Sequence, residues 1–175
     1  MENCILCKPD MTFAADIEAY RAEFFAADSS MDGSGPLRRM ETAAQWLDYN
    51  RLLEQEDTLP DNMVVAEQFI YVRESDRKIV GMIQYRHTLN DYLLHYGGHI
   101  GYSVRPGERR KGYAKRMLAE CLAYCRQCGL TRVLITCKAE NEASRRTILA
   151  GGGVYENTAY CATEDTHLQR YWITL

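Results

Sequence analysis

Apolar residues recur at helical intervals near the start of the chain. In the stretch TFAADIEAYRAEFFAAD, Phe13, Ile17, Tyr20 or Arg21, and Phe24 fall at helical spacing, which predicts a first helix. A turn-rich stretch, SSMDGSGP, separates it from a second helical face made by Leu37, Met40, Ala44, Leu47 and Leu52 or Leu53. The pattern then changes. Glu67 to Glu74 and Lys78 to His87 are rich in β-branched and aromatic residues around a short Ser-Asp-Arg turn, so they predict a hairpin. A third strand is predicted over Gly97 to Pro106, where glycines inside or beside it suggest a bulge or a close approach to the backbone. Ala114, Leu118, Cys121, Leu122 and Cys125 restore the helical stripe over Arg109 to Cys128, which Gly129 ends. The continuous apolar run Arg132 to Cys137 is a strand buried on both faces, giving a strand, crossover helix and parallel strand. A last helix is capped by Asn141 and closed by Gly151 to Gly153, and VYENTAY and LQRYWITL form a final strand pair.

At 175 residues the chain fits one domain, 1–175, with enough buried surface to need neither disulfide nor metal. The hydrophobic content of 46% and charged content of 26% are those of an ordinary globular protein. No apolar run approaches the roughly 20 residues that span a bilayer, and the first residues lack the plan of a signal peptide. A cytoplasmic protein that binds no membrane is expected. Seven cysteines is an odd number, and Cys121, Cys125 and Cys128 recur at helical spacing, so packing outweighs disulfide chemistry. The two CxxC pairs, Cys4 with Cys7 and Cys125 with Cys128, lack the turn residues of a zinc knuckle, and no metal is expected.

Charge is more informative. The net charge is -3, yet Arg105, Arg109, Arg110, Lys111, Lys115 and Arg116 crowd one short segment against the single acid Glu108. Those cations sit at a helix start, where the dipole favours anions. A focused patch on an acidic remainder suits a small anionic ligand better than a nucleic acid, which usually meets a wide basic face. Free amides at a helix N-terminus bind anions, and Gly112 followed by small Ala114 would let a phosphate approach the main chain. No P-loop string occurs, and Gly112-Tyr113-Ala114 does not complete a dinucleotide fingerprint, which disfavours nucleoside triphosphates and NAD.

Arg109-Arg110-Lys111-Gly112-Tyr113-Ala114, placed after the strand end Val104-Arg105-Pro106, resembles the R/Q-x-x-G-x-G/A signature of the GNAT superfamily of acetyl-CoA-dependent N-acetyltransferases, in particular a bacterial branch described as predicted acetyltransferases. The likeness covers roughly Gln68 to Leu175. It implies an α/β (α+β) fold with a mixed, mostly antiparallel twisted sheet whose central parallel strand pair splays, flanked by helices. It implies acetyl-CoA as the donor, its pyrophosphate held by Arg109, Arg110, Lys111, Gly112, Tyr113, Ala114 and Lys115. The strand around Tyr102, Ser103 and Val104 would meet the pantetheine arm, and Asn141 and Ser144 would lie near its end.

The expected reaction is direct transfer of acetyl to a primary amine of a small molecule or peptide. It needs a donor for the developing oxyanion, which a strand N–H near Tyr102 or Val104 supplies, and no cysteine nucleophile. Many members of the family place a tyrosine seven residues after the asparagine to protonate the leaving thiolate. Ile148 stands there, so Tyr155, Tyr160 or water would substitute. His99, at the matching place for a base in one branch of the family, is the candidate base, because imidazole titrates near neutrality. His87, His95 and Glu67 rank below it. The absent tyrosine leaves open a non-catalytic acyl-CoA-binding module or sensor. The terminal strand offers an edge for a homodimer, and nothing in the sequence names the acceptor.

Overall fold

The computed structural model describes residues 2–175. It contains two antiparallel sheets. The first joins β1 (Cys4–Cys7), β2 (Ala66–Arg73), β3 (Lys78–Arg86) and β4 (Ile100–Val104) in that order. The second places β7 (Thr166–Thr174) between β5 (Arg132–Lys138) and β6 (Val154–Cys161), so the terminal strand, expected to offer an edge for a homodimer, has both of its edges paired within the chain. Helices α1 (Ala14–Ala26) and α2 (Ala43–Leu53) precede β2, α3 (Tyr113–Gln127) connects β4 to β5, and α4 (Glu142–Ala150) connects β5 to β6. No helix among the described residues is long and apolar enough to cross a membrane.

Strands β2 and β3 are almost continuously buried because the sheet is covered on both faces. Ile17, Tyr20, Phe24, Trp46 and Leu47 of α1 and α2 pack on Ile70, Val72 and Met82. Met117, Leu118, Cys121 and Cys125 of α3 pack on the other face with Phe69, Tyr71, Val80 and Ile83, and this layer continues into Val133, Ile135 and Tyr171 of the second sheet. Cys121, Cys125, Cys137 and Cys161 are buried, as small hydrophobes are.

The sequence pattern places the major elements, with four differences. Cys4–Cys7 is an edge strand on β2. The second helix begins only at Ala43, where the Thr42 hydroxyl caps the Gln45 amide, and Leu37–Arg39 is a separate 3₁₀ turn. The third strand is cut to five residues because Leu93–Gly97 winds into a π-helical turn. Helix α3 starts at Tyr113 instead of Arg109, since Arg110 (φ 65°) and Gly112 (φ 83°) are left-handed and break the helix.

The expected parallel pair forms no ladder among the described residues. β5 pairs with β7, and β4 ends the first sheet. The sheets are stitched at one point, where the His99 N–H donates to the Leu134 carbonyl at 2.7 Å and the Leu134 N–H donates to His99 Nδ1 at 2.9 Å. Gly98 (φ 67°) permits this approach, because a Cβ there would lie 2.6 Å from the Leu134 carbonyl oxygen. Beyond that stitch β4 and β5 run unpaired.

Candidate active site

The segment after β4 is built to leave amides free. Pro106–Glu108 forms a 3₁₀ turn, and the two left-handed residues then swing the chain into α3. Among the described residues, the amides of Arg110, Lys111, Gly112, Tyr113, Ala114 and Lys115 donate to no protein acceptor. The first to do so is Arg116, to the Gly112 carbonyl at 3.3 Å. Unpaired N–H groups at a helix start carry partial positive charge and suit an anion. A Cβ added at Gly107 or Gly112 would meet nothing within 4 Å, so the approach to this main chain is open.

The cations divide into two groups. Arg105, 2% exposed, is a clamp: it bonds Asp16 at 2.7 Å, Glu23 at 2.9 Å and the Ile79 carbonyl at 3.0 Å. Lys111 bonds Glu108 at 2.8 Å, and Arg73 and Lys78 reach the same carboxylate at 3.0 and 3.3 Å. Burial alone would raise the Glu108 pKa, but those three cations bring it down to about 2. Arg109 donates to the Val104 carbonyl and the Ser29 hydroxyl and lies over the Phe24 ring. Arg116 donates to the Glu2 carbonyl. Arg110 and Lys115 have no ion-pair or hydrogen-bond partner among the described residues and remain available at the loop. The concentrated charge in the sequence is therefore mostly internal architecture, with two cations left for a ligand.

The free edge of β4 continues this surface. In an antiparallel pair, residues bonded to the neighbour alternate with residues whose main-chain groups point away. The Arg105 N–H donates to Val80 and the Arg86 N–H to His99, which fixes the phase: odd-numbered residues bond to β3. Ile100, Tyr102 and Val104 turn their N–H and C=O groups toward the gap beside β5. The Tyr102 side chain crosses to α4, its hydroxyl 2.9 Å from Ser144 Oγ and 3.3 Å from the Ser144 carbonyl. Burial pushes the Tyr102 phenol up to about 12. Asn141 caps α4, its Oδ1 accepting from the Ser144 amide at 3.1 Å. Ser103 is tied to α1 through the Tyr20 hydroxyl, 3.1 Å from both its Oγ and its carbonyl.

The candidate proton carriers are not all brought together. Burial, with Arg86 and Arg132 nearby, lowers the His99 pKa to about 4. Its Nδ1 lone pair is occupied by the Leu134 N–H, so the neutral ring carries its proton on Nε2 and has no lone pair to offer a substrate. This geometry counts against His99 as the base and makes it the stitch between the sheets. Tyr155 lies on β6, two strands from the gap, half-exposed and bonded to Thr158 Oγ1 at 2.9 Å. Tyr160, on the same edge strand, bonds Asp165 in the turn that follows it. Glu67 is engaged by Lys8, His87 and Tyr124. Ile148 is fully buried in the core, so that helical position does not face the gap.

One contributor escaped the sequence reading. The Met31–Ser34 stretch lies on β4 from the α1 and α2 side: a Cβ on Gly33 would overlap the Gly101 carbonyl. Gln68 Nε2 holds the Gly33 carbonyl at 2.8 Å and Trp46 Nε1 the Ser34 carbonyl at 2.7 Å. The signal was present as two glycines in a row of turn residues, but its target, Gly101, is far away in sequence.

No curated protein matches the chain by sequence. Among solved structures, the ribosomal-protein-S5-alanine acetyltransferase from Vibrio fischeri superposes with a TM-score of 0.70 at 18% identity, over 99% of this chain and 94% of that one. RimJ from Mycobacterium smegmatis, solved with CoA-disulfide, gives 0.74 at 19% identity, over 98% and 81%. The microcin C7 self-immunity acetyltransferase MccE, in complex with acetyl-CoA and AMP, gives 0.73 at 15% identity, over 100% and 94%. These likenesses show a shared fold. The sequence profile of the Acetyltransferase (GNAT) family matches residues 36–150, a span that includes the Met31–Ser34 neighbour α2, the free-amide loop, the β4 edge and α4, and the chain therefore belongs to that family.

Proposed function

We propose that the protein transfers the acetyl group of acetyl-CoA to a primary amine by direct attack. The observation that carries this reading is the run of six unpaired amides from Arg110 to Lys115, open at Gly107 and Gly112 and flanked by the unpaired Arg110 and Lys115. Acetyl-CoA, when bound, supplies a thioester whose acyl carbon accepts the amine and whose sulfur departs as a thiol. The loop amides and the two free cations would hold its pyrophosphate. The outward N–H groups of Tyr102 and Val104 would hold the extended arm in strand fashion, and an N–H on this edge would also stabilise the developing oxyanion.

The Tyr102 hydroxyl and Ser144 Oγ form the hydroxyl pair at the gap, and they hold the proton that the departing sulfur requires. Tyr102 stays protonated at neutral pH, as a donor must. With the His99 lone pair spent, the amine sheds its proton to water at the open side of β4. The rate then rises with pH along the ionisation of the amine itself.

A melting series with CoA, acetyl-CoA, ATP and NAD tests the reading. A ligand at a hundredfold excess over its Kd stabilises by about 2.7 kcal/mol, which is roughly 5–11 °C for a domain of this size. The expected result is a shift with CoA and acetyl-CoA only, lost in Gly112→Asp. Because Gly112 has φ 83°, any side chain there costs about 1–2 kcal/mol, so the ligand-induced shift is compared within each variant. A shift with ATP or NAD and none with CoA would overturn the assignment. A CoA shift without thioester consumption across an amine panel would favour a binding module.

A further inference from the structure

Arg86 closes β3 on the face of the sheet covered by α1, α2 and the Met31–Ser34 stretch. Its NH1 donates to the carbonyls of Gly97 and Gly98 at 3.0 and 3.2 Å and so ends the π-helical turn. One nitrogen does all of that capping. Nε and NH2 have no partner among the described residues, no carboxylate comes within 4.0 Å, and neither atom is sealed from solvent.

The contrast with the other deeply set arginines is informative. Arg73 pairs with Asp76 and Glu108, Arg105 with Asp16 and Glu23, and Arg170 with Glu156. Burying a guanidinium without a carboxylate is costly, and burial lowers the Arg86 pKa to about 10. Arg21 and Arg116 also lack a carboxylate among the described residues, but they lie away from the free edge of β4; Arg86 NH2 lies 3.4 Å from where a Cβ on Gly101 would sit, beside Tyr102 on β4. Asp32, exposed and accepting from Ser30 Oγ at 3.0 Å, directly precedes Gly33, whose main chain packs on Gly101 and Tyr102 of β4, and its charge adds to the field at Arg86. A free fork of two N–H donors and a carboxylate thus share one side of β4, on the face opposite α3.

We infer that the acceptor is a free amino acid or a similar zwitterion, whose carboxylate is taken by the Nε–NH2 fork of Arg86 while its ammonium is first received by Asp32 at the mouth. This inference rests on the acetyl-transfer reading above. Arg86 would bind a planar carboxylate through two parallel N–H···O bonds and supply the positive end. An amine lacking the carboxylate would leave the fork unpaired in a partly desolvated place, and a site built around a charged partner discriminates strongly against an analogue that lacks it. A peptide amino terminus, whose α-carboxyl group is an amide, falls on the disfavoured side of that distinction.

The test compares each of the twenty common amino acids with its own carboxamide, which keeps the side chain and the amine but removes the carboxylate. Binding is read as a melting shift of the CoA-saturated protein, and turnover as thiol release from acetyl-CoA. The expected result is at least one amino acid favoured over its carboxamide by about tenfold or more in both Kd and kcat/KM. In Arg86→Gln that preference falls to about twofold or less, while the melting shift with CoA alone is kept and reports that the variant is folded. Equal or better binding of the carboxamides by the unaltered protein overturns the inference, and so does a panel in which no amino acid binds. Neither result touches the acetyl-transfer reading if other amines are acetylated. Conversely, carboxylate-selective binding with no thiol release for any amine would sink the transfer reading and leave the Arg86 site standing.

Discussion

Glu108→Gln is the perturbation whose consequences the geometry specifies most fully. The carboxylate is 6% exposed in its side chain and lies within 3.3 Å of Arg73, Lys78 and Lys111. Its pKa falls from an ordinary 4.5 to about 2, and at about 1.4 kcal/mol per pH unit this is worth about 3 kcal/mol of stability. The direction in pH follows from the depressed value. The contribution is complete above the unfolded-state pKa, near pH 5 and higher, and is lost as pH falls through the folded value near 2. At pH 7 the substitution also leaves three cations facing each other, and breaking a buried ion pair from one side costs about 3–5 kcal/mol. Urea unfolding of the two proteins from pH 7 down to pH 3 checks the reasoning. The expected difference is about 3 kcal/mol at pH 7, shrinking steadily below pH 5. A difference under about 0.5 kcal/mol, or one independent of pH, would refute the claim that this acid neutralises the loop. Because Glu108 also anchors the turn that presents the free amides, CoA affinity should weaken in the same variant, read by the melting shift.

Three further outcomes are expected. Removing the His99 ring in His99→Ala orphans the Leu134 N–H and should cost about 1–3 kcal/mol in denaturant unfolding. The pH–rate profile of His99→Gln should keep the shape of the unaltered enzyme, and loss of an inflection near pH 6–7 would restore His99 as a base. Tyr102→Phe removes the hydroxyl shared with Ser144 and should lower kcat about a hundredfold with little change in acetyl-CoA affinity, whereas Tyr155→Phe, two strands from the gap, should leave kcat within about twofold in the same steady-state assay.

What the sequence made legible follows physical range. The stripe Ala114, Leu118, Cys121, Cys125 located α3, and the apolar run at Val133 located β5, because burial on one face or two leaves a local signature. Asn141 as the cap of α4 was equally local. Cys4–Cys7 was not recognisable as a strand, since four residues, three half-buried and Ile5 exposed, carry too little pattern, and its cysteines drew attention to spacing instead. The cation cluster was visible, but not the residues that tie it down, because Asp16 and Glu23, which hold Arg105, and Arg73, which shares Glu108, come from elements distant in sequence. The same holds for His99. Its residue type suited proton transfer, but only the fold brings the Leu134 amide to its ring. The missing parallel ladder has a similar cause: pairing of β5 with β7 is decided between residues 30 to 42 positions apart, and no local pattern records it. Arg86 and Asp32 likewise lie 54 positions apart, an interval no motif spans.

The central claim is that the main-chain amides from Arg110 to Lys115 hold the pyrophosphate of the donor. Backbone amide resonances of the isotopically labelled protein, followed as CoA is added, address it residue by residue. Large saturable shifts and slowed hydrogen exchange are expected at those six amides, centred on Gly112, with smaller changes at Tyr102 and Val104. Saturable CoA binding that leaves the 110–115 amides unmoved and exchanging as before would contradict it.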